Sequence, residues 1–433
     1  MDKGRGVVER ISRDVLGPGL CGFTLWVLKE AQKNKIKRLY FLARDGYLMY
    51  QSAKIFCNKF DLQIECRYLS CSRYALRIPM FHLNIDEAME YICRGGISVN
   101  MEKILRRAGL GEDEIKEVIT SINQDKDKSN MINLKEEIPY SKLGSIKELL
   151  ASTKVFMSYM IKNSEKEFPN LRGYLIQEGL LEDIPSAMID SGWVGTTQKV
   201  INNALYHIGG TQRLTGYYWG LYELPKGVRR SDYHCYYFSP EADIKEKVYF
   251  NNCLFEVIFS APHGMTLRYR KNHEEYSPQY AVISKARKTF AKEHELCIMQ
   301  YLRETLSKVS NLEDFNHKIS IKNTKLNFKK FMGSPCGEEA LVYGNCMFSD
   351  DVLENEMQKV AAPMTDDELN ANHVFNKTLA MFGIKKGIVK ESAWYEASAV
   401  IYGKNMRWHL WQYRMYKYLL YMRKTWSWRR SNE

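Results

Sequence analysis

The chain has 433 residues, and its 63 Lys and Arg against 51 Asp and Glu give a formal net charge of +12. Hydrophobic residues make up 45% and charged residues 26%, a composition that buries a core and excludes a disordered or low-complexity protein. No apolar run approaches the roughly 18 residues of a membrane-spanning helix, so we expect no such span.

Ten cysteines are scattered along the chain without a CxxC pair, and most lie in apolar segments. This pattern favours reduced, buried thiols over disulfides or structural zinc, and therefore predicts a cytoplasmic protein. Met1 to Gly19 mix charges of both signs and lack an apolar signal core, so we also expect no cleaved secretory leader.

The N-terminal part of the chain alternates between helical and strand patterns. Apolar residues at helical spacing predict a helix that ends at Asn34, and the apolar run Leu39–Ala43 predicts a strand buried on both faces. A second helical pattern covers Met49–Phe60, and Ile64–Ser70 predicts the next strand. This order indicates a parallel sheet with right-handed crossovers.

Strand character returns after a long helical stretch. Ser186–Asp190 and Leu214–Tyr222 predict strands, and Thr196–Leu205 between them predicts a helix. Further on, the pair Ser277-Pro278 predicts the start of a helix, and 324–338 is predicted to be a loop-rich connection. The C-terminal part is therefore expected to be mostly helical.

We predict an α/β fold with a Rossmann-like parallel sheet. Its core comprises residues 1–85 and 183–268, and residues 86–182 form a helical insertion that resembles a cap. Residues 269–433 form a mostly helical C-terminal domain that ends in a basic, aromatic tail.

The first group of candidate site residues is Arg44, Asp45 and Gly46, directly after the first strand. Ligands of open α/β sheets bind beyond the carboxyl ends of strands. Asp45 there can bind a hard cation or transfer a proton, Arg44 can hold phosphate, and Gly46 permits a tight turn. The alternative is that Asp45 caps the following helix.

The second group lies in Ile189 to Gln198 (IDSGWVGTTQ), where a strand ends in Asp190 and a helix opens with Thr196 and Thr197. A helix start of this kind favours an anion such as phosphate. Trp193 lies between two glycines and can stack on a sugar or base. The alternative is that Thr196 caps the helix and Trp193 belongs to the core.

The third group includes Glu256, which interrupts an apolar run, and His263 in a turn before glycine. An unpaired buried carboxylate is costly, so Glu256 either has satisfying neighbours or faces a site. His263 is a candidate acid/base or phosphate ligand, although such turns are common in structural roles. Ser70 and Ser72 close the second strand with Arg73 beside them, and such hydroxyls can hydrogen-bond a phosphate, whereas most such serines only end a strand.

The positive charge is concentrated at the C-terminus. Between Ile401 and Glu433 there are eight basic residues and one acid, together with nine Trp and Tyr. On a helical wheel one face carries mainly apolar and aromatic residues, and an adjoining face carries basic ones. The apolar face comprises Trp408, Trp411, Met415, Tyr418, Leu419 and Met422; the basic face comprises Arg407, Arg414, Lys417 and Lys424.

The sequence allows two interpretations of this C-terminal tail. Basic residues beside Trp and Tyr suit an anionic membrane surface, which would make the protein peripheral at the inner face of the cell membrane. The other interpretation is that the tail forms a terminal helix that docks on its own domain. Nucleic acid is disfavoured as a partner because no base-reading motif accompanies the charge.

These motifs resemble the haloacid dehalogenase (HAD) superfamily. The segments Phe41 to Tyr47 (FLARDGY), Ile189 to Gln198 and Phe259 to Thr266 (FSAPHGMT) resemble predicted HAD-like hydrolases encoded with bacterial surface-polysaccharide genes. The resemblance covers about residues 17–269. It implies a HAD-like fold in which an Asp-x-Asp-Gly motif supplies a nucleophile and a general acid/base, and Mg²⁺ neutralises phosphate.

The resemblance carries over to some residues only. Asp45 and Gly46 match the second half of the family motif, but Ala43 replaces the nucleophile, so an aspartyl-phosphate cannot form there. Ser70 matches a phosphate-binding hydroxyl, and Asp190 matches a metal-binding acid. Asp45 and Asp190 are therefore the predicted Mg²⁺ ligands, with Glu256 and His263 as further catalytic candidates.

The predicted ligand is a phosphorylated or nucleotide-linked sugar, or a lipid-linked glycan, in surface (capsule or O-antigen) polysaccharide biosynthesis. One hypothesis is a hydrolase or transferase centred on Asp45 and Asp190. The alternative is a non-catalytic sugar-phosphate-binding or scaffold module that holds partner glycosyltransferases near the membrane, which Ala43 favours.

Overall fold

The structure is a computed structural model that describes residues 3–95, 99–124, 131–314, 321–349, 357–381 and 390–430. Its central feature is a five-stranded parallel sheet with the strand order β2-β1-β3-β4-β5. The strands are β1 (Arg38–Leu42), β2 (Glu65–Leu69), β3 (Ser186–Trp193), β4 (Thr215–Leu221) and β5 (Tyr233–Phe238). The predicted α/β fold with a parallel sheet is confirmed; β5 was not predicted.

Helices cover both faces of the sheet and connect its strands. The helices up to β2 are α1 (Lys3–Ile11), α2 (Gly17–Lys33) and α3 (Gly46–Phe60). Between β2 and β3 lie α4 (Arg73–Arg77), α5 (Ile85–Ile92), α6 (Met101–Arg107), α7 (Glu112–Asn123), α8 (Leu143–Ser152) and α9 (Lys154–Gln177). The next three are α10 (Thr196–His207), α11 (Ile244–Tyr249) and α12 (Asn252–Phe259). The segments predicted as strands and helices up to Tyr222 are confirmed, with ends shifted by a few residues.

The remaining elements begin with an antiparallel hairpin of β6 (Thr266–Asn272) and β7 (Glu275–Tyr280). Helices then dominate, as predicted. They are α13 (Lys285–Leu306), α14 (Ile321–Gly333), α15 (Gly337–Gly344), α16 (Asp366–Ala371), α17 (Val374–Met381), α18 (Tyr395–Tyr402) and α19 (Met406–Arg430), and two short strands, β8 (Met347–Phe348) and β9 (Gln358–Lys359), pair between them.

β1 is buried along its whole length and pairs with β2 on one side and β3 on the other. Leu39 and Phe41 belong to a core cluster that includes residues of α2, α3 and α12. Tyr40 and Leu42 point to the opposite face, where α9 and α10 contribute to a second cluster. The chain leaves β1 and β3 in opposite directions across the sheet, so their carboxyl ends mark a topological switch point.

The helices between β2 and β3 have a hydrophobic cluster of their own. It contains Met89, Leu105 and Val118 from three of these helices. The long helix α9 belongs to both clusters, because Phe156 lies in the insertion while Leu171 packs against the sheet. Between these two groups the helix contains a proline at position 169.

The predicted helix start at Ser277-Pro278 is wrong, because both residues lie in β7. Proline cannot donate to a strand ladder, but a two-stranded hairpin has free edges that tolerate it, and Pro278 is paired in register with Tyr269. The helix begins instead at Lys285, where the Ser284 hydroxyl accepts a hydrogen bond from the Arg287 backbone N–H.

The loop-rich connection predicted over 324–338 is also wrong for most of its length, because α14 runs to Gly333. Phe328, Phe331 and Met332 are buried at helical spacing and join the cluster on one face of the sheet. The ring of Phe328 lies 5.3 Å from that of Trp219 in β4. The C-terminal helices therefore complete the cover of the sheet.

The C-terminal helix α19 docks on the rest of the protein through the basic side predicted from the wheel. Lys417 pairs with Glu396 at 3.2 Å, and Arg414 donates to the Gly333 carbonyl at 2.6 Å. Lys424 lies 3.7 Å from Glu223. Three of the four predicted basic residues thus contact the protein itself.

Within the described ranges, no helix combines the length and the apolar character needed to cross a membrane.

The packing of α14 predicts a clear difference between two of its residues. Phe328→Ala leaves a cavity beside Trp219, so we expect a loss of about 3–5 kcal/mol in the free energy of unfolding, measured by chemical denaturation. Leu326→Ala is the control, since this side chain of the same helix is 62% exposed and its truncation should change stability by less than about 0.5 kcal/mol. Equal effects of the two substitutions would contradict the docking of α14 on the sheet.

Candidate functional site

A cavity of about 340 Å³ lies beyond the carboxyl ends of β1 and β3, at the topological switch point. It brings together eight of the residues predicted from the sequence. They are Arg44, Asp45, Arg73, Asp190, Trp193, Thr196, Thr197 and Glu256. The three carboxylates come from the turn after β1, from β3 and from α12, so residues more than 200 positions apart in the chain share one wall.

Asp45 directly precedes α3, but its side chain makes no capping hydrogen bond to that helix. Its Oδ2 instead accepts a hydrogen bond of 2.6 Å from the Ser191 hydroxyl in β3. The interpretation of Asp45 as a helix cap is therefore wrong. Gly46 begins α3 and does not line the cavity; a Cβ there would lie 3.2 Å from the Phe41 backbone, so glycine permits this close approach.

Asp190 lies near the end of β3 and remains partly exposed to the cavity. Its Oδ1 accepts a hydrogen bond of 2.9 Å from the Ser191 backbone N–H. Burial, followed by the negative charge of Asp45, raises the pKa of Asp190 to about 7. Asp190 can therefore gain or lose a proton near neutral pH.

Glu256 projects from α12, which begins with an N-terminal cap from the Asn251 side chain. Its Oε1 accepts a hydrogen bond of 2.7 Å from the indole N–H of Trp193. Burial, followed by the charge of Asp45, raises the pKa of Glu256 to about 8. This carboxyl group is thus mainly protonated at neutral pH, and it is satisfied by a neighbour while it also faces the cavity.

Trp193 has a left-handed backbone conformation with φ of +70°, which is unfavourable for a bulky side chain. Its ring packs 5.4 Å from Phe250 and 5.5 Å from Phe255, and its N–H is held by Glu256. Trp193 therefore belongs to the aromatic core, as one alternative predicted, and it also forms part of the cavity wall.

The positive side of the cavity is formed by Arg44, Arg73 and the first turn of α10. Gly195 precedes this helix in a left-handed conformation and Thr196 is its first residue, so the prediction that Thr196 caps the helix is wrong. The first N–H groups of a helix have no acceptor within it and favour an anion. Both arginines act to lower the pKa of Glu256, so their charges are felt inside the cavity.

Two predicted residues, Ser70 and His263, lie outside the cavity wall. The Ser70 hydroxyl makes a hydrogen bond of 2.7 Å with the Tyr280 hydroxyl, which belongs to the hairpin. His263 Nδ1 lies 2.8 Å from the Gly264 carbonyl and therefore carries the proton, so Nε2 accepts from the Tyr68 hydroxyl at 2.9 Å. Burial lowers the pKa of His263 and keeps it neutral. Both residues join the hairpin to the sheet, and neither is brought to the three carboxylates.

The cavity also contains residues that the sequence did not single out. Ser191 holds Asp45, and its place beside Asp190 in a strand end was the one available signal. Asn252 contributes from the start of α12, and Phe348 and Ser349 reach the cavity from the C-terminal part of the chain. No spacing or motif connects positions 348 and 349 with β1, so only the tertiary structure identifies them.

The acids of the cavity are the candidate metal ligands. In the part of the chain that the structure describes, no three His, Cys, Asp or Glu side chains form a group that could hold a metal ion. Mg²⁺ commonly uses one or two carboxylates together with phosphate oxygens of the substrate. Asp45 and Asp190, which share the cavity, fit a site of that kind.

A scan against protein-family models and a search of curated proteins found no match to this chain.

The raised pKa of Asp190 predicts a pH-dependent stability. The folded protein binds this proton more tightly than the unfolded chain, where the pKa is near 3.8. The stabilisation of the folded protein by the protonated Asp190 carboxyl is thus complete below about pH 4 and is lost as the pH rises through 7. The side chain of the Asp190→Asn variant is neutral at every pH. We therefore expect the free energy of unfolding of this variant to exceed that of the wild type by roughly 2–4 kcal/mol at pH 8, and this difference should disappear toward pH 4.

This comparison is made by chemical denaturation across the pH range with a metal chelator present. Asp113→Asn is the matched control, because the Asp113 side chain is 92% exposed and its loss should leave the pH profile parallel to that of the wild type. A parallel profile for Asp190→Asn as well would show that Asp190 is not perturbed.

Proposed function

We propose that this protein is a HAD-like hydrolase or phosphotransferase that acts on a phosphorylated or nucleotide-linked sugar in surface-polysaccharide biosynthesis. The observation that carries the proposal is the shared cavity of Asp45, Asp190 and Glu256 beside two arginines and a helix start. Carboxylates of differing pKa can move protons, and the cationic side suits a phosphate group.

The topology supports the HAD-like assignment. In the HAD-like proteins that this chain resembles, a strand that ends in an Asp-Gly turn is followed by a strand that ends in Ser. An insertion and a strand that ends in Asp come next. Here β1 lies between β2 and β3, the helices α4 to α9 are described between β2 and β3, and the acids after β1 and in β3 line one cavity. This arrangement agrees with the order of the motifs in the proteins that the chain resembles.

The proposed reaction avoids a covalent intermediate at position 43. Ala43 lines the cavity but has no nucleophilic group, so the attacking group is water or an acceptor hydroxyl. Asp45 takes the proton of this nucleophile as its oxygen bonds to phosphorus, and the bond from phosphorus to the sugar oxygen breaks. Glu256 donates a proton to the leaving sugar oxygen. With water as the nucleophile, a sugar phosphate yields free sugar and phosphate, and a nucleotide-linked sugar yields free sugar and the nucleotide; with an acceptor hydroxyl, the phosphoryl group is transferred to that acceptor.

The surroundings of each residue in the cavity determine its role in the proposed reaction. The pKa of Glu256, near 8, keeps a proton available for the leaving group, and its Oε1 is fixed by Trp193. The Ser191 hydroxyl orients Asp45. Arg44, Arg73 and the first turn of α10 neutralise and orient the phosphate.

Mg²⁺ fits the oxygen donors of Asp45 and Asp190 and would neutralise charge on the phosphate. The sugar or base would contact Trp193, which contributes aromatic surface to the cavity wall.

The second candidate function is a non-catalytic sugar-phosphate-binding or scaffold module for glycosyltransferases. Ala43 favours it, because the family's nucleophilic carboxylate is missing at that position. Such a module would use the same cationic residues to bind the ligand and would leave it unchanged.

Incubation with a panel of sugar phosphates and nucleotide sugars separates the two functions. We expect the wild type to release phosphate or a nucleotide from at least one of them, and Asp45→Asn to lower kcat by about 10²–10⁴-fold because the base is lost. Asp113→Asn should keep full activity. Binding by the wild type without turnover across the panel would favour the scaffold function instead.

Mg²⁺ should stabilise the folded protein through the same two acids. We expect saturating Mg²⁺ to raise the thermal midpoint of the wild type by roughly 2–4 °C, since a ligand that binds only the folded state stabilises it. Asp45→Asn and Asp190→Asn should each lose most of this shift, whereas Asp113→Asn should retain it. Equal shifts in all four proteins would exclude Asp45 and Asp190 as metal ligands.

A further inference from the structure

The C-terminal helix α19 carries a continuous exposed apolar stripe. Its members recur every three or four residues, and each is between 38% and 61% exposed. They are Trp408, Trp411, Met415, Leu419, Met422 and Trp426. The stripe extends over about 27 Å of helix, and a patch of this kind on a folded protein marks an interaction site.

The stripe is held on a docked helix. The opposite side of α19 buries Leu410, Tyr416 and Lys417. Tyr413 stacks on Tyr395 with ring centroids 4.0 Å apart, and Tyr421 stacks on Tyr222 at 5.2 Å. The docked-helix interpretation is thus right for one side of α19, while the face predicted to be apolar remains largely exposed.

The charge of α19 points to an anionic partner. Met406 to Arg430 contains seven Lys and Arg and no acid. Several of these bind the protein itself, but Arg407 and Arg423 are exposed and lie on the two flanks of the stripe. The Arg430 guanidinium lies 4.0 Å from the ring of Trp426. Two copies of this helix would repel each other, so the stripe is poorly suited to self-association.

We propose that α19 lies flat on an anionic phospholipid surface, with the stripe inserted at the boundary between headgroups and acyl chains. Tryptophan at both ends suits the headgroup level, and Met and Leu between them suit the acyl region. The flanking arginines supply the attraction to anionic lipid. This proposal does not depend on the reaction at the carboxylate cavity.

The helix α19 also lines a second cavity of the protein. A second cavity of about 670 Å³ lies between α19 and the connection after β4, and its wall includes Lys226, Arg423 and Trp428. A cationic cavity beside the stripe has room for lipid headgroups. Tyr222 stacks on Tyr421 of α19 and lies 6.2 Å from Trp193 of the carboxylate cavity, so a single ring connects the helix with the wall of that cavity.

The test is co-sedimentation of the full chain with vesicles of equimolar phosphatidylcholine and phosphatidylglycerol, compared with vesicles of phosphatidylcholine alone. We expect binding to the anionic vesicles that weakens with salt. The double variant Met415→Glu/Met422→Glu should weaken it by about tenfold or more, because two inserted side chains become charged. Arg407→Gln and Arg423→Gln should each weaken it by roughly fivefold.

Leu296→Glu is the matched control, since this leucine of α13 is 72% exposed and lies outside the stripe. It should bind as the wild type does, and thermal unfolding of all variants verifies that they are folded. Binding that is absent, or that is unchanged in the Met415→Glu/Met422→Glu variant, overturns the proposal. Dimerisation of the wild type without vesicles, abolished in that variant, would also overturn it, because the stripe would then be an interface between copies. Turnover of water-soluble sugar phosphates is measured separately, so failure here is distinguishable from failure of the proposed function.

Discussion

The complete burial of β1 imposes the architecture on which the rest of the molecule depends. A parallel strand with neighbours on both sides and apolar residues on both faces requires helices above and below it. The helices α2 and α3 cover one face, and α9 and α10 cover the other. Because the chain leaves β1 and β3 in opposite directions, no crossover fills the space beyond their ends. That space is where the acids collect.

The acidic cavity balances two opposing effects. Burial, followed by the negative charge of Asp45, disfavours the ionised forms of Asp190 and Glu256 and raises the pKa of both. Arg44 and Arg73 act in the opposite direction on Glu256. Ser191 donates one hydrogen bond to Asp45 and one to Asp190, and Trp193 donates one to Glu256. The pKa values of Asp190 and Glu256, about 7 and about 8, both lie near neutral pH, which is the range in which carboxyl groups can transfer protons.

Local patterns revealed the elements whose burial is regular. The unbroken apolar run of β1 and the helical spacing in α2 and α3 were sufficient to predict them. Ser277-Pro278 failed because the same dipeptide can start a helix or occupy an edge strand, and only pairing with β6 decides between them. The surroundings of Ser70 likewise depend on a distant residue, since a tyrosine 210 positions away makes a hydrogen bond with its hydroxyl. Sequence motifs thus identified the acids, while long-range contacts decided which neighbours reached them.

The continuity of α9 determines how the insertion can move. Its first half belongs to the core of the insertion and its second half to the cover of the sheet, so no loop separates the two bodies there. Proline at position 169 removes one backbone hydrogen bond from the helix between these halves. If the insertion moves relative to the sheet, α9 must therefore bend near position 169. The stiffness of this helix would then limit how far the insertion can move.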